Sequence, residues 1–149
     1  MAKRIDETLY VGIDPSLTCT AMVCLPECDV RTWRFKKGDV VGRCAQYASQ
    51  VKRAYHDCLS RTGTNDVVIC IEKPGGQLRG NASWLIALYA FIVDEFLGFG
   101  GVGVYPVAPA TLKKFATGSG RAEKSMMGQA VQRHWGDQLP DGLLGNDAI

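Results

Sequence analysis

The sequence predicts an α/β fold, and three observations carry that reading. Three short β-rich runs, Leu9 to Asp14, Cys19 to Leu25 and Val30 to Phe35, open the chain, joined by short connections that carry Pro15 and Pro26. Antiparallel pairing is the economical arrangement for strands so joined. A helical stretch then leads to Val67–Glu72, apolar at every position before its acid, the pattern of a strand covered on both faces inside an α/β sheet. Finally, the Leu9 and Val67 runs share one grammar: an apolar run, a carboxylate (Asp14, Glu72), and a proline close behind.

Each element follows from local chemistry. In the first strand Leu9, Val11 and Ile13 alternate to one face, and Tyr10, Gly12 and Asp14 to the other. Pro15 has no N–H to donate and ends the ladder. Asp14 therefore sits at the carboxyl end of a strand, where open α/β sheets place ligands, and Gly12 permits close approach to the backbone beside it. From Val41 to Leu59, apolar residues at Val41, Ala45, Ala48, Val51, Tyr55 and Cys58 have helical spacing. Gly63 and Thr64-Asn65-Asp66 end that helix. Gly75 to Asn81 is a loop. Ala82 to Leu97 is a helix, apolar around most of its circumference up to Val93; burial is the default for such a helix, half of a dimer interface the alternative. Val102 to Val107 is a short strand. Pro109 sits in the first turn of a helix from Ala110 to Ala116. Thr117 to Gly120 is a loop, Ala122 to Trp135 a further helix, and Asn146 a cap for a last one.

At 149 residues the chain is read as one domain, 1–149. With 21% charged and 46% hydrophobic residues it has a soluble globular composition. The longest uncharged apolar run, Trp84 to Val93, is too short to span a bilayer, so no membrane partner is expected. No N-terminal segment resembles a signal peptide, and reduced thiols in a cytoplasmic setting are the simplest account of the six cysteines. Cys44 and Cys58 fall in helical patterns, and Cys70 is read as a small buried hydrophobe. Cys19, Cys24 and Cys28 lack CxxC spacing and a nearby histidine, which argues against zinc. The net charge of +2 says little, but its distribution says more. Between Val104 and Trp135 stand Lys113, Lys114, Arg121, Lys124 and Arg133 against one acid, Glu123. Such a stripe is either a footprint for phosphates or a solvated helix face.

Carboxylates that converge from different strands serve as an acid/base pair or as ligands for hard divalent cations. Side by side and parallel, the two acid-tipped strands bring Asp14 to Glu72. Asp147 is a third candidate acid. Each alone has an ordinary structural role, Asp14 as the start of a Pro-Ser turn; the shared strand-end pattern is what favours a metal site facing phosphates. Two Mg²⁺ ions about 3.5–4 Å apart activate water and stabilise the leaving oxygen of a phosphodiester. The stretch Gly118-Ser119-Gly120-Arg121-Ala122-Glu123-Lys124-Ser125 nearly fits a phosphate loop, but Glu123 occupies the second glycine position and no strand precedes it. Nucleotide hydrolysis there is rejected. Lys124 is better read as a cation near a scissile phosphate, on the first turn of a helix whose N-terminus also favours anions.

These stretches together resemble the RuvC-type Holliday-junction resolvases of the ribonuclease-H-like superfamily. The matching segments are Gly12-Ile13-Asp14-Pro15-Ser16, Ile71-Glu72, Leu112-Lys113-Lys114 leading to Gly118 through Ser125, and Asn146-Asp147-Ala148, in order along nearly the whole chain. The resemblance implies a mixed five-stranded sheet, three antiparallel plus two parallel strands, flanked by helices. It implies Mg²⁺-dependent (or Mn²⁺-dependent) nicking of opposed strands of a four-way junction, with Asp14, Glu72 and Asp147 as metal ligands and Lys124 as the catalytic lysine. Lys113 or Lys114 looks like the upstream DNA-contacting lysine; Arg121, Lys73 and Arg79 join them as expected DNA contacts. The helix from Ala82 to Leu97 is similar to the family's dimerisation helix, so a homodimer on branched DNA in a bacterial or phage-infected cytoplasm is expected.

Two departures stand out. The family carries a fourth acid three residues after the third, in a final helix, whereas this chain ends at Ile149; the expectation is a form lacking its last helix. Cellular members also carry an aromatic residue shortly after the central glutamate, where this sequence reads Pro74-Gly75-Gly76. Two other readings compete. One is a catalytically inactive module that binds branched DNA. The other is a lobe of an actin-like or sugar-kinase ATPase, which needs a second lobe that this length does not provide.

Overall fold

The three opening strands form and pair as expected. β1 (Leu9–Asp14), β2 (Thr20–Leu25) and β3 (Asp29–Trp33) are successive antiparallel neighbours, with Gly12 opposite Val23 and Val23 opposite Val30. The computed structural model describes residues 8–36, 38–75, 82–99 and 102–139. It forms two compact units, Met1–Pro106 and Val107–Ile149. In the first, β4 (Val67–Glu72) lies parallel to β1, and β5 (Val102–Val107) lies beyond it, so the mixed five-stranded sheet runs β3-β2-β1-β4-β5.

Two helices bury one face of this sheet. α1 (Val40–Thr62) is longer than its apolar spacing predicts because both ends are capped. The Asp39 carboxylate accepts the Gly42 N–H at 2.8 Å, and Gly63, at φ 64°, donates its N–H to the Leu59 carbonyl. Its buried stripe, Cys44, Tyr47, Ala48, Val51, Ala54, Tyr55 and Cys58, meets Leu9, Val11, Ile13, Val67, Ile69 and Ile71 from the strands. α2 (Ala82–Leu97) adds Leu88, Ile92 and Phe96, a stripe at i, i+4 and i+8. No helix among the described residues is long and apolar enough to cross a membrane.

Three expectations need correction. β4 is not covered on both faces: Val67, Ile69 and Ile71 are buried but Cys70 is exposed. Because α1 and α2 both pack on one side, β4 alternates in burial although its sequence does not alternate in polarity, and Cys70 is no core residue. α2 is likewise not buried all round. One stripe meets the core, while Trp84, Ile86, Phe91 and Leu97 are exposed. Gly12 does admit a close approach, but the approaching group is protein: a Cβ there would stand 3.0 Å from Val23 Cγ1.

Away from the acid-tipped strand ends, a charged cluster fastens β3 to α1. Asp29 accepts from Arg31 at 2.9 Å and also pairs with Arg61; Arg31 reaches Asp57, and Arg61 reaches Glu27. These guanidinium hydrogen bonds, Arg31 foremost, hold the Asp29 carboxyl below its ordinary value. Cys24 and Cys58 sit beside the cluster, and burial pushes both thiols up, keeping them protonated.

The second unit holds α3 (Pro109–Thr117), α4 (Lys124–Trp135) and a 3-10 turn, Gly136–Gln138. Pro109 opens α3, and Gly118 closes it at φ 82°, its N–H on the Lys114 carbonyl. Gly120 packs against the first turn of α3, where a Cβ would come 3.2 Å from the Ala110 carbonyl oxygen.

Two stability outcomes follow. Replacing Gly63 with Ala forces a side chain into the left-handed region and lowers stability by about 1–2 kcal/mol in urea denaturation. For Asp29, a folded-state pKa below the unfolded value means its contribution is present above about pH 3.9 and is lost as pH falls through the folded pKa. The stability gap between wild type and Asp29→Asn is therefore full at pH 7 and shrinks below pH 4; a gap that stays constant or widens there contradicts this account.

Candidate active site

Two carboxylates come together where the parallel strands end. Ile13 is opposite Ile71 in the β1–β4 register, so the next residues, Asp14 and Glu72, lie side by side at the carboxyl ends of adjacent strands. Alternation puts Asp14 on the face of Tyr10 and Gly12, and Glu72 on the face of Val68 and Cys70, both opposite the helix-covered side. Asp14 is exposed and Glu72 half-buried. Pro15, Glu72, Lys73, Pro74, Gly75 and Leu85 line a shallow cleft of about 50 Å³ beside them.

The turn after Asp14 is built from hydroxyls. Thr20, fully buried at the start of β2, accepts the Ser16 N–H at 3.2 Å and donates to the Ser16 carbonyl at 2.9 Å. Ser16 Oγ accepts the Thr18 and Cys19 N–H groups. From the other side, the buried Tyr47 hydroxyl of α1 donates to the Leu17 carbonyl and accepts the Phe35 N–H. Thr20 and Tyr47 thus hold the segment that follows Asp14, and sequence reasoning singled out neither for this. The available signal was Thr20 itself, a polar residue on the inward phase of Thr20, Met22 and Cys24. It is unremarked in a strand because threonine is common there.

Among the described residues, no group of three or more His, Cys, Asp or Glu side chains gathers to hold a metal. Asp14 and Glu72 form a two-carboxylate set. Such a set suits Mg²⁺, which binds through one or two carboxylates plus substrate phosphates and keeps several waters. Asp147 and Arg79 lie outside the described residues. Lys73 follows Glu72 directly and lines the same cleft.

The other expected DNA contacts belong to the second unit. Lys114, Arg121 and Lys124 are exposed and Lys113 half-buried. Lys124 is the first residue of α4, where the helix dipole adds to its attraction for anions. The Gly118–Glu123 segment joins two helices, and its backbone is occupied internally. Thr117 Oγ1 accepts the Ser119 N–H, Ser119 Oγ accepts the Arg121 N–H, and the Ser119 carbonyl accepts the Ala122 N–H. A strand-to-helix phosphate loop is therefore excluded on geometry as well as on sequence.

Removing the Thr20 hydroxyl leaves the Ser16 N–H and carbonyl without their buried partner. Thr20→Val, which keeps the shape, is expected to cost about 1–3 kcal/mol in thermal or urea unfolding, and Thr20→Ser to recover most of it. Equal stability of Thr20→Val and wild type would remove the brace from the account of this turn.

No protein-family model matches the sequence, and no curated protein sequence matches it. Solved structures do match in shape. The chain is similar to the structure of Thermus thermophilus RuvC, with a TM-score of 0.68 at 19% identity, over 95% of this chain and 90% of that one. It is similar also to T. thermophilus RuvC in complex with Holliday junction substrate, with a TM-score of 0.65 at 16% identity, over 96% of this chain and 90% of that one. At such identities the likeness shows the fold: a five-stranded mixed sheet flanked by helices, ribonuclease-H-like as in these RuvC structures.

Proposed function

We propose that this chain is a structure-selective, metal-dependent endodeoxyribonuclease that resolves Holliday junctions or related branched DNA by paired nicks. The observation that carries the reading is the pairing of Asp14 with Glu72 at the carboxyl ends of adjacent parallel strands, on the sheet face opposite α1 and α2. The fold shared with a RuvC bound to Holliday junction substrate supports the choice of DNA.

Asp14 and Glu72, joined by Asp147, are the carboxylates that would hold Mg²⁺, with Mn²⁺ as a substitute. Two such ions supply water activation and neutralise charge on the departing oxygen of a phosphodiester. The chain's own side chains do the rest. Lys124 offsets the charge that develops on the scissile phosphate, and the product carries a 5′-phosphate. Lys73, Arg79, Lys113, Lys114 and Arg121 would hold flanking phosphates and set position rather than sequence. Paired nicks require two active sites. α2 leaves Trp84 and Phe91 exposed along one line and Ile86 and Leu97 along another, and this apolar surface supports a homodimer built on that helix; the protein would act in the cytoplasm.

One observation favours a second reading. Among the described residues the ends of β1 and β4 bring two acids together, and no group of three or more that could hold a metal is formed, which is also what a branched-DNA-binding module without hydrolytic activity would show. A labelled mobile four-way junction separates the two. With Mg²⁺, wild type is expected to make symmetric paired nicks. EDTA abolishes them, and Asp14→Asn or Glu72→Gln lowers the rate by more than about 100-fold while junction binding persists. Binding that falls steeply with salt, with no nicking under Mg²⁺ or Mn²⁺, would establish the binding module instead. Failure to bind branched DNA at low salt would end both readings.

A further inference from the structure

We propose that the exposed face of α3 is a stacking platform for an unpaired DNA base, with Phe115 as the ring on which the base lies. The proposal rests on the DNA-binding reading above and adds to it a contact with a base, where that reading has only phosphates.

Phe115 is 87% exposed, the most exposed large hydrophobic residue of the described structure. Leu112, three residues earlier and on the same side of the helix, is 40% exposed. The ring is not needed by its own helix. α3 is closed by the Gly118 N–H on the Lys114 carbonyl and by Thr117 Oγ1 on the Lys113 carbonyl, and none of its residues is fully buried. Among the described residues, Phe115 has no aromatic or cationic ring partner.

The charge of the unit that carries it indicates the partner. Lys114, exposed, precedes it; Arg121 and Lys124, also exposed, follow beyond the Gly118 turn. Between Val107 and Leu139 five basic residues stand against two acids, Glu123 and Asp137. Protein interface cores are depleted in lysine, and three of these five basic residues are lysines, so a bare ring on this unit is poorly suited to a protein partner. It suits a polyanion whose own rings are available: single-stranded sites combine a cationic track for phosphates with an aromatic face for bases. Duplex DNA hides those base faces in its stack. The occupant is therefore an unpaired base, as found where strands exchange or where an arm of branched DNA is single-stranded.

The test uses the full chain in EDTA, so that no strand is cut. The ligands are a branched DNA with a short unpaired stretch carrying 5-iodouracil and a fully paired duplex of the same length. Wild type, Phe115→Ala, Phe115→Tyr and the Lys113→Ala/Lys114→Ala pair are compared by fluorescence anisotropy across salt and by photocrosslinking. Phe115→Ala is expected to weaken binding to the unpaired DNA roughly tenfold, with duplex binding and salt slope unchanged and the crosslink to position 115 lost. Phe115→Tyr retains both affinity and crosslink. The lysine pair lowers the salt slope but keeps the crosslink at saturation. The proposal is overturned if Phe115→Ala binds the unpaired DNA as wild type does, or loses affinity equally for both DNAs. It is overturned too if sedimentation shows that Phe115→Ala breaks a self-association of wild type, which would make the ring a contact between copies. If wild type binds neither DNA at low salt, the nuclease reading itself fails; if wild type nicks junctions while Phe115→Ala is indistinguishable from it, only the stacking platform fails.

Discussion

The parallel pairing of β1 with β4 is the constraint on which the candidate site depends. Side chains alternate with a period of two, so a slip of one residue in either strand would turn its acid to the opposite face. The register is specified because Leu9, Val11 and Ile13 on β1 and Val67, Ile69 and Ile71 on β4 all belong to one buried cluster. The hydrophobic effect acts on those six side chains and on none of the acids. Asp14 and Glu72 become neighbours because the core locks the strands that carry them.

A second constraint acts just beyond the first strand. A carboxylate at a strand end is only as well placed as the turn that follows it. Here Thr20 and Tyr47, both fully buried, satisfy the backbone of that turn from two sides. Buried polar groups of this kind are costly to leave unpaired, so the native turn depends on both the strand and the helix that satisfy it. The same α1 helix that supplies the core stripe therefore also steadies the turn after Asp14. On β4, Lys73, Pro74 and Gly75 line the cleft beside Glu72.

Much of this was legible in the order of residues. The β1 alternation, the Pro15 stop, the α1 spacing with its Gly63 end and the α2 boundaries all match the structure, because each reflects a local preference: a pleat, a missing N–H, a left-handed cap. The bounds of α1 moved by one residue at its start and three at its end, where the caps Asp39 and Gly63 extend the helix beyond its apolar stripe. The coverage of β4 and α2 was misread for one common reason. Polarity reports which residues tolerate burial, not which of them receive a neighbour. Cys70, Phe91 and Phe115 are as apolar as their buried counterparts, yet nothing in their local sequence reveals how far each is left in contact with solvent.

The sequence by itself determined the elements, their order and the two acid-tipped strand ends, because these depend on interactions between residues close along the chain. It also determined where basic residues cluster, since charge is a property of composition. Tertiary structure alone decided that β1 and β4 are neighbours in a register that aligns Asp14 with Glu72, that a Val23 methyl rather than a ligand fills the space over Gly12, and that Thr20 and Tyr47 brace the turn after Asp14. Those are contacts between segments far apart in sequence, set by the packing of one shared core, and no local pattern encodes them.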